Sequence, residues 1–175
     1  MLKKILFLIL ILLYQTNLQS KSINPKNFNQ KYLSNYLSAL ISFQNVDNNK
    51  AIKYYNSSKG LISEHENFLK NYVFSLVENG NIKKAIREIS NHKDSNNSNF
   101  FEANVILIVN AINNKEFYNA NTYIQKLKQF ESQSTFETIV TDTLESYISL
   151  FTYKRKFKSE NDLGRLTLVT DAFQE

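Results

Sequence analysis

At 175 residues, 42% of them hydrophobic, the chain is long enough for one domain with its own core. It has no cysteine, which excludes disulfides, thiolate metal sites and a cysteine nucleophile, and only His65 and His92 could do acid–base or metal chemistry near neutral pH. Three glycines and one proline are too few for the tight turns of a β-sandwich or barrel, and the net charge of +5 comes with acids and bases interspersed, which argues against nucleic acid as a partner.

The first twenty residues read as a signal rather than as part of the fold. MLKK supplies positive charge, Ile5–Leu13 a nine-residue apolar run, and Ser20 a small residue at a cleavage point. That order is the one of a secretory signal peptide over residues 1–20. The run falls short of the roughly 18–20 apolar residues that span a bilayer. Leu18 stands where a cleavage site usually has a small side chain, so an uncleaved N-terminal anchor is the alternative. Cleavage would take away Lys3 and Lys4 and lower the net charge from +5 to +3.

Residues 21–30 hold the only proline and read as a polar linker. From there to 153 the apolar residues recur with a period near 3.6, the mark of amphipathic helices. In the first, 31–43, the predicted stripe is Tyr32, Leu33, Tyr36, Leu37, Leu40 and Ile41. Asp47 suits an N-cap for a second helix over 50–61, which Gly60 closes. Glu64–Glu78 presents Phe68, Leu69, Tyr72, Val73, Leu76 and Val77, and a turn at 79–81 leads into Ile82–Ile89. A third pair is predicted at Phe100–Asn113 and Phe117–Phe130, and a last helix at Phe136–Tyr153 with Ile139, Val140, Leu144, Tyr147, Ile148 and Phe151 on one side. Residues 154–175 read as a basic linker, KRKFK, and an incomplete terminal helix; the basic run could touch anionic lipid or serve as a plain linker. No segment alternates with period 2, so the fold class is all-α.

Three stretches share a pattern: NVDNNKAIKYY, NGNIKKAIREI and NKEFYNANTYI each have a polar turn, a short approach, an alanine, and a bulky residue four positions later. The alanines, Ala51, Ala85 and Ala120, are 34 and 35 residues apart. A small side chain is required where two helices cross closely, and helix pairs that cannot bury their own apolar faces stack on their neighbours. Ala103 lies outside this register and is expected to tolerate a charged side chain better than Ala85.

These residues resemble the tetratricopeptide repeat (TPR) family, whose repeat is of this length. In that alignment, covering about 32–134, Ala51, Ala85 and Ala120 match the family's alanine and Tyr55, Ile89 and Ile124 its large residue, while Val46, Gly80 and Lys115 stand at its turn glycine, which only the middle repeat keeps. The resemblance implies an α-solenoid of antiparallel helix pairs over 31–153, binding a protein or peptide in a groove lined by the first helix of each pair. Carried over residue by residue, that groove includes Tyr36, Asn67, Lys70, Phe74, Glu102 and Asn113. A signal peptide ahead of such repeats resembles the exported TPR proteins of bacteria, which implies the periplasm, or a membrane-anchored protein facing it. The implied role is a non-enzymatic interaction scaffold of the cell envelope. The alternatives are a regulatory or substrate-presenting segment of a longer envelope enzyme, and a membrane-anchored structural protein. A membrane would be touched only through an uncleaved N-terminus.

No catalytic, cofactor or metal residues are assigned. His65 in SEHEN lacks the spaced co-ligands a metal needs and reads as a surface or helix-start histidine. Asp142 and Glu145, three apart on one helix face, read as a solvated pair. GxSxG, SxxK and P-loop patterns do not occur.

Overall fold

The computed structural model describes residues 29–93, 96–130 and 135–153, and among them every regular element is helical. The signal read at 1–20, most of the linker at 21–30, and the terminal segment at 154–175 with KRKFK lie outside the described residues. Seven α-helices follow one another: α1 (Gln30–Gln44), α2 (Asn48–Ser57), α3 (Phe68–Glu78), α4 (Ile82–Asn91), α5 (Phe101–Asn113), α6 (Phe117–Leu127) and α7 (Thr135–Tyr153). Short 3-10 turns at Lys59–Leu61, Asn96–Ser98 and Lys128–Phe130 follow α2, α4 and α6. The predicted order is reproduced; α2 stops at Ser57, with Gly60 in the 3-10 turn, and α3 starts at Phe68 instead of Glu64.

The connection within each pair is one motif, made three times. Val46, Gly80 and Lys115 all adopt the left-handed conformation, with φ of 58°, 73° and 61°. Each first helix thereby ends in two backbone bonds that satisfy its last carbonyls. Val46 N–H donates to Phe43 O at 3.0 Å and Asp47 N–H to Ser42 O at 2.9 Å. The same pair recurs as Gly80 to Val77 (2.9 Å) with Asn81 to Leu76 (2.7 Å), and as Lys115 to Ile112 (3.0 Å) with Glu116 to Ala111 (2.8 Å). The next helix then opens with the alanine N–H donating to the carbonyl of Asp47, Asn81 or Glu116, at 2.9, 3.0 and 3.0 Å. Asp47 caps α2 as expected, its Oδ1 accepting from Lys50 N–H at 3.1 Å.

Only the middle turn has the residue that suits this geometry. A β-branched side chain at positive φ costs about 1–2 kcal/mol, more than the roughly 0.5–1 kcal/mol that glycine adds to unfolded-chain freedom. Val46 is 73% exposed, so glycine there sacrifices little burial. Val46→Gly should therefore raise the unfolding free energy by about 0.5–1 kcal/mol, and Gly80→Val should lower it by at least as much. Urea melts read both; a destabilised Val46→Gly variant would refute the left-handed turn.

The repeat also sets the core. Ala51, Ala85 and Ala120 are each 0% exposed, and Tyr55, Ile89 and Ile124 beside them at most 2%. Ala39, Val73 and Ile108, on the preceding helices at the same spacing, are fully buried as well. α2 packs on α3, α3 on α4, α5 on α6 and α6 on α7, with a lighter contact between α4 and α5. One apolar cluster joins α1–α4 and takes in Phe100 and Ala103; a second joins α5–α7. α5 contributes to both.

Four expectations are corrected here. Ala103 is 1% exposed, packed in the first cluster, and has no tolerance for a charge. The α1 stripe is rotated from its predicted setting: Tyr36, Ala39 and Ser42 face inward, while Leu37 and Ile41 are 51% and 60% exposed. α7 buries Thr141, Asp142, Ser146 and Ile148 most deeply, leaves Ile139, Val140, Leu144 and Tyr147 half-buried, and exposes Phe151. Asp142 is thus not solvated, and Glu145 is held by Lys128 Nζ at 2.8 Å. No described helix is long and apolar enough to cross a membrane.

Candidate partner-binding surface

Three of the six groove residues come together, and they do so between α3 and α5. Lys70 Nζ lies 3.3 Å from Glu102 Oε2, with both side chains more than a third exposed. The ammonium also sits over the rings of Phe74 and Phe100, 5.5 and 5.9 Å from their centroids. The two rings meet edge-to-face at 6.4 Å. A half-exposed ion pair contributes at most about 1 kcal/mol, but it fixes where the charge stands above an apolar floor. Glu102 Oε2 is shielded from water and has no aligned hydrogen bond, so the Lys70 charge is its compensation.

Apolar side chains at neighbouring positions of the first helices are only partly covered. Leu40 and Phe43 of α1, Phe74 and Val77 of α3, and Val105 and Ile112 of α5 are half-buried, and Val109 is 53% exposed. Asn67 and Asn113 are exposed at the start of α3 and the end of α5, and neither makes a side-chain hydrogen bond.

Tyr36 does not belong to this surface. It is 8% exposed, with its ring stacked on Phe68 at 5.2 Å and on His65 at 4.5 Å, and tilted against Tyr55 at 6.3 Å. Burial raises its hydroxyl pKa above the ordinary tyrosine value. The correction has a plain cause: position along α1 does not reveal that the segment entering α3 folds across it. His65 is therefore a packing residue, and its carbonyl accepts from Phe68 N–H at 3.0 Å. His92 caps α4, its Nδ1 lying 2.8 Å from Glu88 O. Among the described residues no three His, Cys, Asp or Glu side chains converge as a metal site would require.

Two features gave no signal in the sequence. The first is a polar cluster that ties α2, α3 and α4 together. Glu88, 3% exposed, accepts from Lys59 Nζ at 2.5 Å. Tyr72 Oη donates to Asn56 Oδ1 at 2.5 Å, and Lys84 Nζ donates to the same oxygen at 3.2 Å. Both ammonium groups stand over the Tyr72 ring, at 5.5 and 5.7 Å. Burial, then the Glu88 charge, pushes the Tyr72 hydroxyl pKa well up, and burial, then the Lys59 charge, lowers that of Lys84. These groups satisfy one another, so the cluster fastens helices.

The second feature is a cleft of about 340 Å³ between α4 and α6, lined by Ile89, Ser90 and Lys93 on one side, Tyr123 and Lys126 on the other, and Ser98, Asn99, Asn104 and Leu107 at its base. Asn104 is 3% exposed and donates to Asn99 Oδ1 and Phe100 O, both at 3.1 Å. Its residues come from α4, α5, α6 and a loop, which no single-stretch motif could announce.

No family model, curated protein or solved structure matches this chain.

Proposed function

We propose that this protein is an exported, non-enzymatic interaction scaffold of the cell envelope, built as an α-solenoid of TPR-like helix pairs that hold a protein or peptide along their first helices. The observation that carries the reading is the threefold hairpin: left-handed residues at 46, 80 and 115, each followed five positions later by a fully buried alanine. A repeated hairpin of this kind lines up equivalent helix faces, and lined-up faces make an extended surface. The Lys70–Glu102 pair above Phe74 and Phe100 offers that surface an aromatic anchor flanked by fixed charges.

Photocrosslinkers placed singly at Val109, on this face, and at Asn121, exposed on α6, test the assignment in envelope extract. A partner captured at 109 and not at 121 is the expected result; equal capture at both, or none at either, removes the groove. With that partner in hand, Phe74→Ala should weaken binding by about 1–2 kcal/mol, roughly 5- to 30-fold. If calorimetry instead shows unchanged affinity and a lower melting temperature, Phe74 is core.

Export has its own measurement. Intact mass of the natively produced protein should correspond to a chain beginning near Lys21; a mass that still includes Met1–Ser20 replaces cleavage with the anchored alternative.

A further inference from the structure

The second helices carry a charge pattern that the groove reading does not use. On α2, α4 and α6 the sole carboxylate is Glu88, which is 3% exposed and held by Lys59. The same three helices carry Lys50, Lys53, Lys83, Lys84, Arg87 and Lys126. Lys50 is held by Asp47 at 2.7 Å and Lys84 by Asn56, whereas Lys53, Lys83, Arg87 and Lys126 are exposed. Other acids stand at the ends of these helices or on other helices: Asp47 and Glu116 cap α2 and α6, Glu78 at the end of α3 accepts from Asn48, Glu102 is on α5, and Glu137, Asp142 and Glu145 are on α7. Along the outward sides of α2, α4 and α6, between their caps, the exposed charges are all positive.

The three helices are neighbours. Lys59–Glu88 and Lys84–Asn56 join the end of α2 to α4, and the cleft walls join α4 to α6. Their inward lines are set by Ala51 and Tyr55, Ala85 and Ile89, and Ala120 and Ile124. At 100° per residue, Lys53 on α2, Lys83 and Arg87 on α4, and Lys126 on α6 point away from those lines. Tyr118, 86% exposed in the first turn of α6, points to the same outward side as Lys126. Between α4 and α6 the cleft offers Lys93 and Lys126 with Ser90 and the Asn99 carboxamide, and no carboxylate among its described lining residues.

We propose that the α2–α4–α6 face docks on an anionic phospholipid bilayer, with a headgroup phosphate seated in the α4/α6 cleft. Cations spread over a broad face meet a plane of negative charge without needing a matched pattern of partners, and each adds attraction that salt screens. The exposed Tyr118 side chain enters the interfacial region, where an apolar body with a polar rim is favoured. Lysine suits a phosphate as a point charge, and the cleft's hydroxyl and carboxamide donors complete the oxygen's hydrogen bonds. This face lies on the helices opposite those of the proposed peptide groove, so either assignment can fail without the other.

The test uses the full chain and flotation with vesicles of phosphatidylcholine alone or with about a third phosphatidylglycerol. Binding should require the anionic lipid and fall away at about 0.5 M salt. Lys53→Gln/Lys83→Gln/Arg87→Gln should weaken it by about tenfold or more, and the charge-matched Lys31→Gln/Lys115→Gln/Lys128→Gln by less than about twofold. Lys93→Gln/Lys126→Gln should cost at least as much per charge as the face variant. Equal binding to neutral vesicles would assign attachment to the apolar N-terminus and overturn the proposal. Equal loss in both triple variants, or tighter retention by nucleic acid than by anionic vesicles, overturns it as well.

Discussion

Ala85→Glu should lower the unfolding free energy by about 3–5 kcal/mol, because it buries a carboxylate where nothing can pair with it. Ala85 is 0% exposed between α3 and α4, and a side chain longer than a methyl must either separate those helices or leave its rotamer. Ala85→Leu carries only the second penalty, about 1–3 kcal/mol. For a domain of ordinary stability, about 5–15 kcal/mol, the glutamate variant loses a large fraction of its folded margin. Ala103→Glu should be comparably damaging, since Ala103 is 1% exposed. The proper control is Asn121→Glu, exposed on α6 and worth about 0.5 kcal/mol or less. Urea melts of the four variants decide the matter: if Ala85→Glu loses no more than Asn121→Glu, the close crossing at Ala85 does not exist.

Tyr55→Ala should cost about 3–5 kcal/mol, the other large effect. The ring is 0% exposed and lies at the centre of an aromatic group, 5.1 Å from Phe68, 5.6 Å from Tyr72 and 6.3 Å from Tyr36. Removing it opens a cavity bordered by three elements that cannot all collapse into it. The hydroxyl tells a different story. Its oxygen is buried without an aligned partner; Asn71 is near enough to favour the charged form, but no hydrogen bond is formed. Burial dominates and pushes the pKa far up, so the group is neutral at any physiological pH. Tyr55→Phe should consequently change stability by less than about 1 kcal/mol. Tyr72→Phe, which gives up the 2.5 Å bond to Asn56, should lose about 1 kcal/mol. Thermal melts showing Tyr55→Phe worse than Tyr72→Phe would mean that the Tyr55 hydroxyl has a partner after all.

The candidate surface was only partly legible. Lys70, Phe74 and Glu102 could be singled out from the repeat register, since α3 and α5 enter it with the same offset; their meeting at 3.3 Å and 5.5 Å depends on how far α5 slides past α3. Tyr36 was misplaced because the same register ignores the loop carrying His65. Lys59, Lys84 and Glu88 drew no attention: in KKAIREI the glutamate reads as one more surface charge, and only the approach of the α2 end buries it.

What the sequence by itself determined is local. A period of 3.6 residues places the helices, because one face of each must be apolar to leave water, and the alanines at 34- and 35-residue spacing mark where a methyl is the largest group that fits. On α3 the expected Phe68, Leu69, Tyr72, Val73 and Leu76 are buried, with Ser75 added and Val77 left half-buried. Tertiary structure decided everything that depends on a neighbour. It turned Leu37 and Ile41 of α1 outward, carried Val46 and Lys115 into a left-handed turn that their side chains disfavour, and buried Glu88 against Lys59. The physical reason is the same in each case. A helix's periodicity says that it has an apolar side, but the side finally buried, and the turn strain tolerated to bury it, follow from the summed contacts of all the helices packed around it.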